Sequence, residues 1–236
     1  MKLLHIYGDV MNLYGEYANV RVLERYLSEL GDEVVTDTLS LYEEKDISGY
    51  DFFYMGAGTE RNQKLALSRL MHYRAALQAA CAAGKVMLFT GNACELLGAS
   101  VTDAEGKTFE ALGIGDFTTT EGKTRITGDC LAKLGEDIAV GFINKCSRTD
   151  GVSTPLFTLL MGYGNTGVRG DEGFVKNNCF GTHITGPILA KNPFFLRKLA
   201  RLLLGDAFSE TACDPYMENG YRITLNELTK RLESAK

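Results

Sequence analysis

Residues 85–98 bring a strand, a bend and a helix start together around possible catalytic side chains. Val86 to Thr90 is a buried apolar run, Gly91 and Asn92 form a sharp turn, and Ala93 to Leu97 opens a helix. This is the geometry of a nucleophile elbow, which lifts one side chain over the end of a sheet. The residue at the tip is Gly91, which has no nucleophile, and Cys94 follows three residues later. A helix N-terminus would lower the pKa of a nearby thiol. Beside Leu96 and Leu97, a cysteine equally reads as core. His183 is the histidine that could serve such a thiol as general base, since residues 183 and 185 of a strand share a side. The alternative is a histidine satisfied by a local hydrogen bond. His5, in a buried first strand, and His72, on a helix flank, read as structural. Thr90 and Thr185 are the nearby hydroxyls, with no base but His183.

Two further groups suit a pocket. Gly56, Ala57 and Gly58 directly follow a strand, where small residues can turn backbone N–H groups toward an oxyanion. A plain strand-ending turn looks the same. Arg125 and Arg148 carry the fork that binds a carboxylate through two oxygens, although either could be a surface arginine.

The elements that must position these residues follow from periodicity. Lys2 to Tyr7, Glu33 to Leu39 and Tyr50 to Met55 read as strands. Tyr17 to Leu30 places Val20, Leu23, Leu27 and Leu30 on one helical face before Gly31. Gln63 to Ala83 reads as one long helix ended by Gly84. Strand and helix alternating through short joins predict a parallel sheet covered on both faces. From Val101 to Gly181 the texture changes. Short strands are expected at Lys123 to Ile126, Ile138 to Ile143 and Leu156 to Met161, continuing the sheet with an antiparallel part. Asn192 is the expected N-cap of a helix from Pro193 to Leu204, and Thr224 to Leu232 is a last amphipathic stretch.

Composition narrows the function classes. The 236 residues carry a net charge of −5 and show no Lys/Arg cluster, so nucleic acid is not an expected partner. No apolar run is long enough to span a bilayer, and the N-terminus meets Asp9 early, so no signal peptide is expected. Six scattered cysteines without a C-x-x-C pair read as reduced thiols of a cytoplasmic protein, not a disulfide frame or zinc site. No phosphate-loop, dinucleotide or H-E-x-x-H motif is present, so neither a metal nor a cofactor is expected.

Several blocks together carry a resemblance: Asn12-Leu13-Tyr14-Gly15; Gly56-Ala57-Gly58 with Gln63; Leu96-Leu97-Gly98; Leu112 to Thr119 leading to Arg125 and Gly128; Val140 to Asn144 with Arg148-Thr149; Gly164 to Gly167 with Glu172-Gly173; and Gly181-Thr182 with Gly186-Pro187. In order and spacing the chain resembles the cobyric-acid-synthase-type (CobB/CobQ-like) class I glutamine amidotransferases, and among them the glutaminase subunits of bacterial lipid II isoglutaminyl synthase. The resemblance implies a three-layer α/β/α domain over residues 1–205, with a mostly parallel sheet and an antiparallel extension, followed by a tail, residues 206–236, with a short helix. It implies an elbow cysteine that attacks the side-chain amide of glutamine, a histidine as base, an arginine (here Arg125) that holds glutamine, and a Mur-ligase-like synthase partner that uses the ammonia in peptidoglycan precursor amidation. The family's elbow reads Cys-Gly-Gly-Tyr-Gln-Leu-Leu-Gly. Laid on residues 91–98, it puts Gly91 at the nucleophile and Cys94 at the tyrosine. The family histidine directly precedes Gly-Pro, which here is Thr185, with His183 at a tyrosine position. Both catalytic positions are therefore read as substituted, and a glutaminase-impaired subunit is expected. The alternative is an active glutaminase that uses a shifted Cys94/His183 pair.

Overall fold

The computed structural model describes residues 1–209 and 213–234. Its centre is a sheet of six strands: β1 (Lys2–Ile6), β2 (Val35–Leu39), β3 (Phe52–Met55), β4 (Val86–Thr90), β11 (Phe174–Lys176) and β12 (Cys179–Thr182). They lie in the order β11-β12-β4-β3-β1-β2. All neighbours run parallel except the edge strand β11. Parallel strands with helices on both faces read as continuous apolar runs, which is why β3 and β4 are buried at every residue.

The pleat sends alternate side chains to two cores. Leu4, Ile6, Phe53, Met55, Met87 and Phe89 face one side. There they meet Leu67 and Leu70 of α2 (Glu60–Leu70) and Leu77 of α3 (Arg74–Ala82). Leu3, Phe52, Tyr54, Val86 and Leu88 face the other side. Their partners are Leu23 and Leu27 of α1 (Ala18–Glu29) and Leu196 and Leu199 of α5 (Pro193–Leu204). This is the expected three-layer α/β arrangement.

Residues 63–83 are not the single helix that their periodicity predicts. A 3₁₀ turn at Met71–Tyr73 separates α2 from α3. Tertiary contacts set the break: the Tyr73 hydroxyl accepts from Lys45 N at 3.2 Å, and Gln78 Nε2 donates to Leu112 O at 2.6 Å.

The antiparallel part is a second sheet, not a continuation of the first. It holds β5 (Ser100–Thr102), β6 (Thr108–Glu110), β7 (Thr118–Leu134), β8 (Asp137–Asp150), β9 (Phe157–Met161), β10 (Asp171–Glu172) and β13 (Ile184–Thr185). The short strands expected at 123–126 and 138–143 are parts of one long β7–β8 hairpin, paired from Thr118↔Asp150 to Leu134↔Asp137. Its frequent Thr and Gly hide the pattern because much of β7 is exposed. The pairing register shifts between Glu121 and Ile126, the segment that carries Arg125. At His183 the chain passes from β12 in the first sheet to β13, which pairs with β8 in the second.

The C-terminal helix is also longer than its amphipathic core suggests. It runs as α6 over Pro215–Ser234, following α4 (Ile188–Lys191) and α5. Leu228 packs with Leu131 and Val140, and Tyr221 Oη donates to Ile138 O at 2.8 Å. Asn192 does not cap α5 with its side chain. Its amide instead bonds both ways to Val140, from Val140 N to Oδ1 at 2.7 Å and from Nδ2 to Val140 O at 2.9 Å.

Candidate active site: the elbow, its cleft and a buried polar cluster

Strand β4 ends at Thr90 and the chain turns at Gly91, whose φ is +59. That left-handed conformation is the strained bend an elbow requires. The following turn, Gly91–Leu97, is 3₁₀ rather than α. An ideal Cβ placed on Gly91 would stand 2.5 Å from the Ala57 Cβ and 3.1 Å from the Thr185 Cγ2. The tip of the elbow is thus packed against the two residues that the resemblance sets around a nucleophile, and their methyl groups fill the volume a side chain would need.

The candidate oxyanion segment is also engaged. Gly58 N donates to Asn92 Oδ1 at 2.9 Å, and Asn92 Nδ2 donates back to Gly58 O at 3.0 Å. Gln63 Nε2 holds the Asn92 carbonyl at 2.7 Å. The N–H of Gly58 therefore serves the fold rather than facing an empty position. Gly56 is hemmed in by the Glu16 Cβ and the Met11 carbonyl, each 2.9 Å from where its own Cβ would lie, and so packs as bare backbone.

In front of the elbow lies a cleft of about 180 Å³ whose walls include Tyr14, Ala57, Glu60, Asn92, Arg125 and Lys145. Arg125 reaches it from the register shift in β7. One nitrogen donates to Asn144 Oδ1 at 2.9 Å, and the other pairs with Glu60 and approaches the Cys146 sulfur at 3.9 Å. Burial raises the Glu60 pKa, but the hydrogen bonds and charge of Arg125, with the bonds from its own backbone and Cys146, together outweigh it and hold the carboxyl low. Burial and the same carboxylate push the Cys146 thiol up to about 12. Arg148 does not join this group. It pairs with Asp150 on the surface at 2.7 Å.

Cys94 and His183 do come together, but beneath the cleft and not in it. Both are buried, and neither is part of the cleft wall. Bare Gly181 lets β12 lie directly on Cys94: a Cβ there would come 3.2 Å from the Cys94 Cβ. The His183 ring is held by Glu172 at 3.1 Å from Nδ1, with Glu95 at 3.5 Å from Nε2. Glu172 also accepts from the His183 backbone N and from Thr182 Oγ1, each at 2.7 Å. Glu95 in turn accepts from Gln63 Nε2 at 2.6 Å and from Ser147 Oγ. Lys145, buried against them, donates to Asn165 O at 2.8 Å.

The electrostatics of this cluster oppose the chemistry expected of a thiol and its base. Burial pushes the Cys94 thiol up, and neighbouring His183 only partly offsets this. The helix-terminus lowering expected from sequence is overruled by desolvation. For His183, burial alone would depress the pKa. The adjoining Cys94 and Glu172 more than compensate, so the ring stands well above its ordinary value. Burial likewise raises Glu95, but the proximity of His183 and the hydrogen bonds from Ser147 and Gln63 together outweigh it and hold it low. A thiol whose pKa burial raises, out of the cleft and beside a ring that Glu172 already engages, is a buried polar cluster and not a poised nucleophile.

Sequence reasoning missed the carboxylates. Glu16 is fully buried under the elbow. It accepts from Gly186 N at 2.8 Å, from Tyr54 Oη at 2.9 Å and from Thr90 Oγ1, and burial raises its pKa despite these bonds. Glu95 and Glu172 are the other two. The available signal was an acid beside glycine or inside an apolar run: Gly15-Glu16, Cys94-Glu95-Leu96 and Glu172-Gly173.

Comparison with known proteins agrees with this architecture. The chain is 28% identical to the lipid II isoglutaminyl synthase (glutamine-hydrolyzing) subunit GatD of Streptococcus pneumoniae, over 93% of this chain and 86% of that protein. It is 30% identical to the subunit of the same name from Staphylococcus aureus, over 81% and 79%. In fold it is similar to a glutamine amidotransferase from Thermotoga maritima, with a TM-score of 0.54 at 13% identity over 98% of this chain and 97% of that one. A second glutamine amidotransferase structure superposes with a TM-score of 0.57 at 12% identity, over 85% and 98%. Residues 2–193 match the CobB/CobQ-like glutamine amidotransferase domain, and the chain belongs to that family.

Proposed function

We propose that this protein is a glutamine amidotransferase-type subunit that docks a Mur-ligase-like synthase in the cytoplasm and takes part in peptidoglycan precursor amidation, and that its own elbow does not hydrolyse glutamine. The relatives named as lipid II isoglutaminyl synthase subunits support the pathway and the partner class. Among the described residues no helix is long and apolar enough to cross a membrane. The observation that carries the catalytic part is the packing of Gly91: no sulfur stands at the tip, and the methyl groups of Ala57 and Thr185 occupy its place. The cleft with Arg125, Glu60 and Lys145 persists and could hold glutamine or a related small amide without splitting it. Two measurements test the reading. Purified protein, alone and with a co-expressed synthase, should release no glutamate from glutamine above the uncatalysed rate. The two chains should co-elute on gel filtration. Turnover would refute the loss of catalysis, and separate elution would refute the partnership.

A second reading, glutamine hydrolysis by Cys94 and His183, draws support from their contact and from the Cys94–His183–Glu172 series, which has the order of a nucleophile, a base and an orienting acid. Against it stand the burial of all three groups and the raised thiol pKa. Glutaminase activity abolished by both Cys94→Ala and His183→Ala in a folded protein would establish it.

A further inference from the structure

A larger cleft, about 460 Å³, opens at the carboxyl ends of β1 and β2. Open parallel sheets bind ligands outside the carboxyl ends of their strands, beside the point where connections diverge to opposite faces. Here α1, leaving β1, covers one face, and α2, leaving β3, covers the other. The floor of the cleft is Tyr7, buried and at φ +52, a left-handed conformation that a bulky side chain rarely adopts. Outliers of this kind persist where the surroundings over-determine them and cluster at ligand sites. The Tyr7 hydroxyl makes no hydrogen bond among the described residues.

The wall from α2 and the following turn supplies donors. The Arg69 guanidinium lies 5.0 Å from the centre of the Tyr42 ring and makes no hydrogen bond among the described residues. His72 ties only its Nδ1, to Arg69 O at 3.1 Å. The opposite wall, the loop after β2, supplies acids. Glu43 is already engaged by Ser40 N at 3.1 Å and by Lys45 at 3.3 Å. Glu44 is exposed and makes no hydrogen bond among the described residues, and Asp46, also exposed, accepts from the neighbouring Ser48, including its N at 2.9 Å. Donors on one side and exposed acids on the other, with no excess of positive charge, disfavour a simple polyanion.

We propose that this cleft binds a zwitterionic α-amino acid, free or at the end of a short peptide. Its carboxylate meets Arg69 and the Tyr7 hydroxyl, and its ammonium meets Glu44 and Asp46. An Arg fork matches a carboxylate in plane, and the cleft volume falls within the range of small-molecule sites. Nothing in this reading depends on the elbow cleft or its catalytic state.

The test is a thermal-shift and calorimetric titration of the full chain with a panel of free amino acids, glutamine and glutamate included, and with dipeptides to separate the two sources. At least one should raise the melting temperature. Its N-acetylated and carboxamide forms should bind at least tenfold more weakly. Arg69→Ala and Tyr7→Phe should weaken it similarly, whereas Arg148→Ala, paired with Asp150 on the surface and in neither cleft, should leave it unchanged. Arg69 is exposed, so its removal should not unfold the chain; Tyr7→Phe keeps the ring that packs the core. The proposal is overturned if no amino acid or dipeptide binds, if blocking either charged end has no effect, or if binding survives Arg69→Ala unweakened.

Discussion

The Ala57 methyl group lies where a side chain on Gly91 would begin, 2.5 Å from the ideal Cβ position. Contact at that distance requires the neighbour to move, and Ala57 sits in a short segment fixed by the Gly58–Asn92 pair of hydrogen bonds. Replacing Gly91 by cysteine should therefore cost about 2–4 kcal/mol, from overpacking and from a left-handed φ. In an Ala57→Gly background the same change should cost about 1–2 kcal/mol less. Urea unfolding of the four variants of this double-mutant cycle measures the coupling. Additive costs would mean the methyl group does not block the tip. With Thr185→His added, the triple variant is expected to hydrolyse glutamine faster than the wild type.

Cys94 should be chemically silent in the native protein. It is buried, and burial raises its pKa. Alkylation by iodoacetamide, followed by mass spectrometry of the Cys94 peptide, should proceed only at the rate of structural opening and should accelerate sharply in urea. Labelling within seconds under native conditions would show a reactive thiol and reopen the second reading.

Glu172 should be a structural keystone of the buried cluster. It takes bonds from Thr182, the His183 backbone and the His183 ring. Glu172→Ala leaves the ring without its carboxylate and should cost about 3–5 kcal/mol. The folded pKa of His183 is raised above 6.5. Its contribution is thus fully present below about 6.5 and is lost as pH rises through the elevated folded value. In Glu172→Gln, the histidine resonance should titrate at lower pH than in wild type by NMR. An unshifted titration would place the source of the effect elsewhere.

His5 sets an opposite dependence. Burial lowers its pKa from 6.5 to about 4, its Nε2 has no hydrogen-bond partner among the described residues, and its ring packs 5.2 Å from that of Tyr54. A depressed base binds its proton more readily when unfolded. Its contribution is therefore present above about 6.5 and fades as pH falls toward 4, by about 3 kcal/mol in all at ~1.4 kcal/mol per unit. His5→Phe should lose correspondingly less stability between pH 6.5 and 4 in urea titrations. Parallel pH profiles for the two proteins would contradict this.

The sequence by itself determined the parallel sheet, the elbow and the vacancy at its tip. Strand and helix periods are local, and Gly91 lacks a side chain whatever surrounds it. Asn192-Pro193 likewise marked the start of α5, although Asn192 turned out to brace Val140. Tertiary structure alone decided the rest. That Ala57 and Thr185 close over Gly91 depends on three segments meeting across the sheet. The meeting of Cys94 with His183 depends on the crossover between two sheets at residue 183, and the raised pKa of the Cys94 thiol depends on burial, which the flanking Leu96 and Leu97 suggested but did not fix. The pairing of Arg125 with Glu60 draws on the register shift in β7 that carries Arg125, and Arg148, opposite Thr120, pairs with Asp150 at the surface. That hairpin is long-range in its consequences, and its exposed Thr- and Gly-rich face gives little periodic signal to read.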